Sequence, residues 1–124
     1  MHRKIVITGG AGFIGSNFVD YWSRNFENDD IFVLDALTYA GNKNNIQNLI
    51  NDSKIKFIEG NINDKKFLDS FIRENNINCI ANFAAESHVD RSINNPNDFI
   101  KTNIEGTYNL LDVFKNAWAE KNFP

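Results

Sequence analysis

Lys4-Ile5-Val6-Ile7-Thr8, Gly9-Gly10-Ala11-Gly12-Phe13-Ile14-Gly15 and Ile31-Phe32-Val33-Leu34-Asp35 follow one another in the first 35 residues. An apolar run, a glycine turn, an amphipathic stretch and a second apolar run ending in an acid compose one β-α-β unit suited to a dinucleotide. Gly10 is expected to make the tight turn off the first strand, Gly12 to leave the backbone open to a pyrophosphate, and Gly15 to let the helix approach the sheet. With Gly9 they form a phosphate-binding loop, in which the free N–H groups and positive dipole end of the helix face the phosphates. Asp35 lies 20 residues past Gly15. There a carboxylate accepts hydrogen bonds from a ribose 2′-hydroxyl and repels a 2′-phosphate, which implies NAD rather than NADP. The glycines alone are weak; the strand, helix and acid in sequence carry the reading.

Composition narrows the rest. A chain of 124 residues, 42% hydrophobic and 13% aromatic, suits one domain with a packed core. The net charge is −3 and the 13 Lys and Arg are scattered, so no basic patch points to nucleic acid. Only a four-residue apolar run follows the basic N-terminus, too short for a signal peptide or a membrane span. The single cysteine, Cys79, excludes an internal disulfide and a cysteine metal cluster; beside Ile80 in a strand, it reads as a buried, inert thiol of a cytoplasmic protein. Two histidines far apart argue against any metal site.

Hydrophobic periodicity predicts alternating strands and helices, hence a parallel sheet covered on both faces. Strands are expected at Lys4–Thr8, Ile31–Asp35, Lys54–Glu59 and Cys79–Phe83. Helices are expected at Gly12–Asn25 (inner stripe Ile14, Phe18, Trp22, with Gly15 and Val19 beside it), near Asn44–Ile50, and at Asp64–Glu74 (inner stripe Phe67, Leu68, Phe71, Ile72; Asn63 or Asp64 as cap). A polar loop then leads to a long helix over Asn97–Lys121, its inner positions Ile100, Ile104, Thr107, Leu111, Phe114 and Trp118. Right-handed crossovers give strand order 3-2-1-4, a Rossmann-type doubly wound sheet with its ligand at the carboxyl ends of the strands. The fourth strand is left as an open apolar edge, and Phe99, Leu110 and Val113 lie off the main helical stripe. Both features predict an N-terminal portion of an incomplete sheet, its last helix covering further strands or a second subunit.

Three segments sharpen the picture: Leu37-Thr38-Tyr39-Ala40-Gly41-Asn42, Ala84-Ala85-Glu86-Ser87-His88-Val89-Asp90-Arg91-Ser92-Ile93, and Phe99-Ile100-Lys101-Thr102-Asn103-Ile104-Glu105-Gly106-Thr107. Together they closely resemble the dTDP-glucose 4,6-dehydratases, extended short-chain dehydrogenase/reductases acting on nucleotide sugars. The resemblance spans the whole chain; sister enzymes such as UDP-glucose 4-epimerases share the glycine loop but not, as a rule, the Ala84–Ile93 block. It implies that Phe13 and Ile14 lie on the pyrophosphate and that Asp35, Ala36, Leu37 and Thr38 surround the adenosine ribose. Asn61 and Ile62 would flank the adenine. Phe83, Ala84, Ala85, Glu86 and Ser87 would run beneath the cofactor's middle and nicotinamide end, with Thr102 near it, and Ser87 and His88 would reach the nucleotide-sugar substrate. Asn61 departs from the family's usual Asp, which implies weaker adenine binding.

The reaction implied by the resemblance oxidises C4 of the glucose with hydride passing to NAD, loses water across C5–C6, and returns the hydride to C6. Its catalytic Tyr-x-x-x-Lys and Asp-Glu pair would lie on later elements, so no catalytic residue is assigned within this chain. Tyr39-Ala40-Gly41-Asn42-Lys43 has the same spacing, but Gly41-Asn42 breaks the helix that would put Tyr39 and Lys43 on one face. Asp90 and Arg91 are expected to form a loop-fixing salt bridge, and His88 to position or contact substrate rather than transfer protons. Relatives pair through the last helix, so a homodimer is implied for the intact protein. Rival readings are another nucleotide-sugar epimerase or decarboxylase, or a non-catalytic NAD-binding remnant; the nucleotide (dTDP, UDP or CDP) stays open.

Overall fold

The structure, a computed structural model, describes residues 2–121. Its elements are β1 (Lys4–Thr8), α1 (Phe13–Asn25), β2 (Asp30–Asp35), a 3₁₀ turn (Lys43–Ile46) running into α2 (Gln47–Asn51), β3 (Lys56–Glu59), α3 (Lys65–Asn75) and β4 (Cys79–Asn82). Beyond β4 come α4 (Val89–Asn94), α5 (Pro96–Phe99), a π-helical segment (Ile100–Gly106) and α6 (Thr107–Glu120). The four strands are parallel in the order β3-β2-β1-β4, as the sequence predicts. The predicted boundaries hold within about two residues for every strand. α4 lies where the sequence predicts a polar loop, because six residues, with only Val89 and Ile93 four apart, are too few to give a periodic signal.

Period-two alternation within β1 and β2 divides the core. Val6, Phe32 and Leu34 point to one face and pack with Leu68, Ile72, Val113 and Phe114 from α3 and α6. Ile5, Ile7, Ile31 and Val33 point to the other and pack with Val19 of α1 and with Ile46 and Ile55. Strands apolar on both faces belong in a parallel sheet buried from both sides. Asp64 caps α3 by accepting from the Phe67 N–H at 3.1 Å, and Asn76 ends it in the left-handed conformation.

Two predicted helical stripes are off register. In α1 the buried positions are Gly15, Val19 and Ser23, while Ile14 is 69% exposed and Phe18 and Trp22 only flank the core. At the C-terminal end Ile100, Ile104 and Leu111 are exposed, and the buried stripe is Gly106, Leu110, Val113, Phe114 and Ala117. Leu110 and Val113, read from sequence as off-stripe, are core. A stripe one residue earlier wins because Gly106 is the only position in its turn small enough for the Ile62 side chain: a Cβ there would stand 2.4 Å from Ile62 Cδ1. Val113→Ala is therefore expected to cost about 1–3 kcal/mol of stability, and Ile104→Ser less than about 0.5 kcal/mol, measured by urea unfolding.

Cys79 is half-buried on β4 rather than fully buried, packing against the second cluster. Burial pushes its thiol above the usual range, so it stays protonated. Among the described residues β4 pairs only with β1, and no helix is long and apolar enough to cross a membrane.

Candidate functional site

The loops after β1, β2, β3 and β4 meet at the carboxyl ends of the strands around an open cleft of about 110 Å³. The turn off β1 is made by Gly9, whose φ of +65° lies in the left-handed region. A side chain there would also strike the backbone of Phe83 and Ala84 at 2.6 Å. Gly10, expected from sequence to make that turn, has ordinary φ; it is small because Val33 Cγ1 would stand 2.5 Å from its Cβ. Gly15 sits where the helix backbone crosses the turn, and a Cβ would fall 2.1 Å from the Gly9 carbonyl oxygen.

This turn leaves α1 bare at its start. Gly12 is the N-cap, with no side-chain cap and no acidic residue in the first turn. The first N–H groups of an α-helix have no intrahelical acceptor, so those of Phe13 and Ile14 are offered outward with the positive end of the helix dipole. The Phe13 and Ile14 side chains are themselves 82% and 69% exposed.

Asp35 closes the other side. Its Oδ2 accepts from the Ala11 N–H at 2.9 Å and its Oδ1 from the Leu37 N–H at 2.8 Å. The residue is only 8% exposed, yet it lines the cleft. Two accepted bonds fill half of a carboxylate's capacity, so a ligand hydroxyl can take the rest. The Leu37 bond helps hold that residue at a φ of 53°, a conformation non-glycine residues adopt rarely.

The fourth wall comes from the loop after β4. Thr8 O accepts from the Phe83 N–H at 2.9 Å, and the Phe83 ring packs on Phe18 at 4.9 Å. Further along, the Asn103 amide clamps Glu86 from both sides, donating to its carbonyl and accepting from its N–H, each at 2.9 Å. This pins the loop to the π-helical segment, so Thr102 faces the same cleft. Glu86 Oε2 is buried here with no hydrogen-bond partner, as is Asn63 Oδ1 in the loop after β3. Such acceptors call for a donor.

Of the residues singled out by sequence, Gly9, Gly12, Asp35, Ala36, Thr38, Asn61, Ile62, Phe83, Ala84, Ala85, Glu86 and Thr102 line the cleft. Gly15 lies buried beneath the turn and Leu37 turns its side chain into the core. Ser87 and His88 are exposed and stand outside the cleft lining. Asn61 Oδ1 is occupied by the Asn63 N–H at 2.9 Å, and the Ile62 side chain belongs mainly to the core. Leu34, Ala40, Gly41 and Gly60 also line the cleft, and the sequence reading missed them along with the Asn103 clamp. Gly41, in the loop after β2, and Gly60, the first residue past β3, were the available signal.

One local expectation is corrected, and another, that Tyr39 and Lys43 do not act together, agrees with the structure. Among the described residues no ion pair joins Asp90 and Arg91; the Arg91 guanidinium lies 3.8 Å from the centroid of the Tyr39 ring, where an aromatic face competes well for arginine. Lys43 lies over Phe57, at 5.0 Å, so Tyr39 and Lys43 go to different partners.

Fold and cleft together define a Rossmann-type α/β domain with a bare helix start and an acidic residue converging at the strand ends. The GDP-mannose 4,6 dehydratase family model matches residues 6–123, and the chain belongs to that family. It is 46% identical over 113 residues to the low-salt glycan biosynthesis protein Agl12 of Haloferax volcanii, covering 91% of this chain and 36% of that protein. It is 44% identical over 115 residues to the dTDP-glucose 4,6-dehydratase of Escherichia coli, covering 93% of this chain and 32% of the enzyme. The structure of dTDP-glucose 4,6-dehydratase from Bacillus anthracis in complex with NAD superposes with a TM-score of 0.80 at 41% identity, covering 92% of this chain and 34% of that one. The chain spans about a third of the length of the curated relatives it matches.

Proposed function

We propose that this chain is the NAD-binding portion of a nucleotide-sugar 4,6-dehydratase that converts dTDP-glucose to its 4-keto-6-deoxy product. The observation that carries the reading is the uncapped start of α1 and the Asp35 carboxylate facing one cleft. The residues present fit the cofactor: a Cβ on Gly12 would meet only the Gly9 oxygen, at 3.3 Å, so the space a pyrophosphate needs is open.

Each group then has a task in binding. The Phe13 and Ile14 N–H groups hold phosphate oxygens, with the helix dipole adding attraction. Asp35 accepts from the adenosine ribose hydroxyls, while Ala36 and Thr38 bound that ribose. Asn61 and Ile62 flank the adenine, with the Asn61 oxygen already engaged by Asn63. Phe83, Ala84, Ala85 and Glu86 form the floor toward the nicotinamide, and the buried Glu86 Oε2 accepts a donor there. Bound NAD would supply the acceptor, and later the donor, of the hydride in the family reaction. Ser87 and His88, exposed just beyond Glu86 in the same loop, would meet the sugar nucleotide.

The apolar stripe of Ile100, Ile104, Tyr108 and Leu111 left open on the last helices supports pairing of two chains as a homodimer, and a cytoplasmic setting follows from the biosynthetic role. Calorimetric titration tests the cofactor assignment. NAD is expected to bind at least tenfold more tightly than NADP, because a 2′-phosphate would meet the Asp35 carboxylate. Equal affinity, or no binding of either, would overturn it.

A further inference from the structure

The strand order β3-β2-β1-β4 seats β3 outside β2. A ribose held by Asp35 at the end of β2 has phosphates on its inner side, over the glycine turn that follows β1. Its base therefore extends outward, over the end of β3. The edge of a purine opposite the sugar bond, N1 and the C6 substituent, then meets the loop after β3. That loop is tied to the ribose site, since the Gly60 N–H donates to the Asp35 carbonyl at 3.0 Å. The next residue, Asn61, is exposed and lines the cleft.

The Asn61 amide is held in one orientation. Its Oδ1 accepts from the Asn63 N–H at 2.9 Å, while its backbone carbonyl accepts from the Asp64 N–H at 2.9 Å. Ile62 anchors the turn from the other side, buried against Gly106. A backbone N–H needs an oxygen opposite it, so turning the amide over would break the Asn63 bond. Among the described residues nothing accepts from Nδ2, which leaves a donor for a ligand. An aspartate in the same turn would keep one oxygen on Asn63 and offer the other as an acceptor. The two side chains share a shape and differ in the polarity they present.

That polarity decides which base edge is read. Adenine carries an amino donor at C6, so a donor from Asn61 gains nothing there. Hypoxanthine carries a carbonyl oxygen at the same position and accepts. The hydroxyls of Thr38 and Thr102 on the cleft lining both donate and accept, so they favour neither base. Glu86, the other carboxylate of the lining beside Asp35, comes from the loop after β4, at the opposite edge of the sheet.

We propose that Asn61 sets the base preference of the cleft by presenting an amide donor to the C6 position, so that a hypoxanthine dinucleotide binds more tightly than its adenine counterpart. The proposal deepens the cofactor reading above and rests on it: NAD still binds through Asp35 and the start of α1, but without a bond from Asn61 to its C6 amino group.

The test is calorimetric titration of the chain with NAD and with nicotinamide hypoxanthine dinucleotide, read as the ratio of the two Kd values within each variant. A shared loss of folded protein cancels in that ratio. In the wild type the hypoxanthine form is expected to bind about fivefold more tightly, the worth of one added hydrogen bond. Asn61→Ala is expected to bring the ratio to about one, and Asn61→Asp to favour NAD by about threefold. A wild-type chain that binds NAD as tightly as the hypoxanthine form, or more so, would overturn the proposal. So would a preference that Asn61→Ala and Asn61→Asp leave unchanged. A wild-type chain that binds neither dinucleotide would instead overturn the cofactor reading, and the base preference with it.

Discussion

Gly15→Ala is expected to cost about 3 kcal/mol of folding stability and to weaken NAD binding beyond detection. A Cβ at this position would stand 2.1 Å from the Gly9 oxygen and 3.0 Å from the Gly10 Cα. Those atoms are backbone, so no rotamer change relieves the clash, which puts the cost at the upper end for overpacking. Either α1 retreats from the sheet or the Gly9 turn opens, and both displace the N–H groups meant for the phosphates. Gly12→Ala is the informative contrast. Its nearest contact would be 3.3 Å, so stability should change by less than about 1 kcal/mol while the methyl occupies the phosphate space. Urea unfolding and calorimetric titration on the two variants separate the roles. If Gly15→Ala kept both stability and binding, the close crossing of helix and turn would not be the feature on which the site depends.

Asp35→Ala should act on fold and ligand together. It removes the acceptor of two N–H groups, and Ala11, one of the donors, is fully buried. Bonds to a charged acceptor are worth more than neutral ones, and a buried N–H left unpaired adds its own cost, so a loss of about 2–4 kcal/mol is expected. NAD affinity should fall at least a hundredfold, since the ribose acceptors and the pinned loop disappear at once. Asp35→Asn is gentler. An amide oxygen can keep one of the two bonds, and without the negative charge the preference for NAD over NADP should drop by about tenfold or more. Thermal unfolding and paired titrations read both effects. An Asp35→Asn chain that still rejects NADP as strongly as the parent would assign the discrimination elsewhere.

Much of this was legible in the residues, and the exceptions have physical causes. The sheet order and the position of the cleft follow from apolar runs, turns and the handedness of crossovers, none of which needs side-chain detail. The cap of α3 could be narrowed to Asn63 or Asp64 because a short polar side chain before an apolar stripe suits that position, and the Phe67 N–H bond selects Asp64. The glycine turn was located, but its bend was assigned one position late, to Gly10: only the φ of Gly9 and the Val33 contact at Gly10 tell which residue bends and which makes room. The stripe of α6 slipped for a related reason. Ile100, Ile104 and Leu111 have the right spacing and apolarity, and nothing local distinguishes them from Leu110, Val113 and Ala117. The packing of Ile62 under Gly106 selects the face, and that contact joins positions 44 residues apart. Arg91 was paired with its neighbour Asp90 on proximity in sequence, whereas the fold brings the Tyr39 ring to it from the far side of β1. Likewise Asn103 looks like any polar residue on a helix until the loop carrying Glu86 folds onto it.

The central claim is that an adenine dinucleotide lies across the strand ends between a bare helix start and Asp35. Titrating NAD into ¹⁵N-labelled chain while following the backbone amides tests it most directly. Shifts should concentrate at Gly12, Phe13 and Ile14, at Asp35 through Thr38, and at Ala84 through Glu86. Perturbations confined to another surface, such as the apolar groove of Leu111, Phe114 and Trp118, with the Gly12–Ile14 amides unmoved, would contradict it.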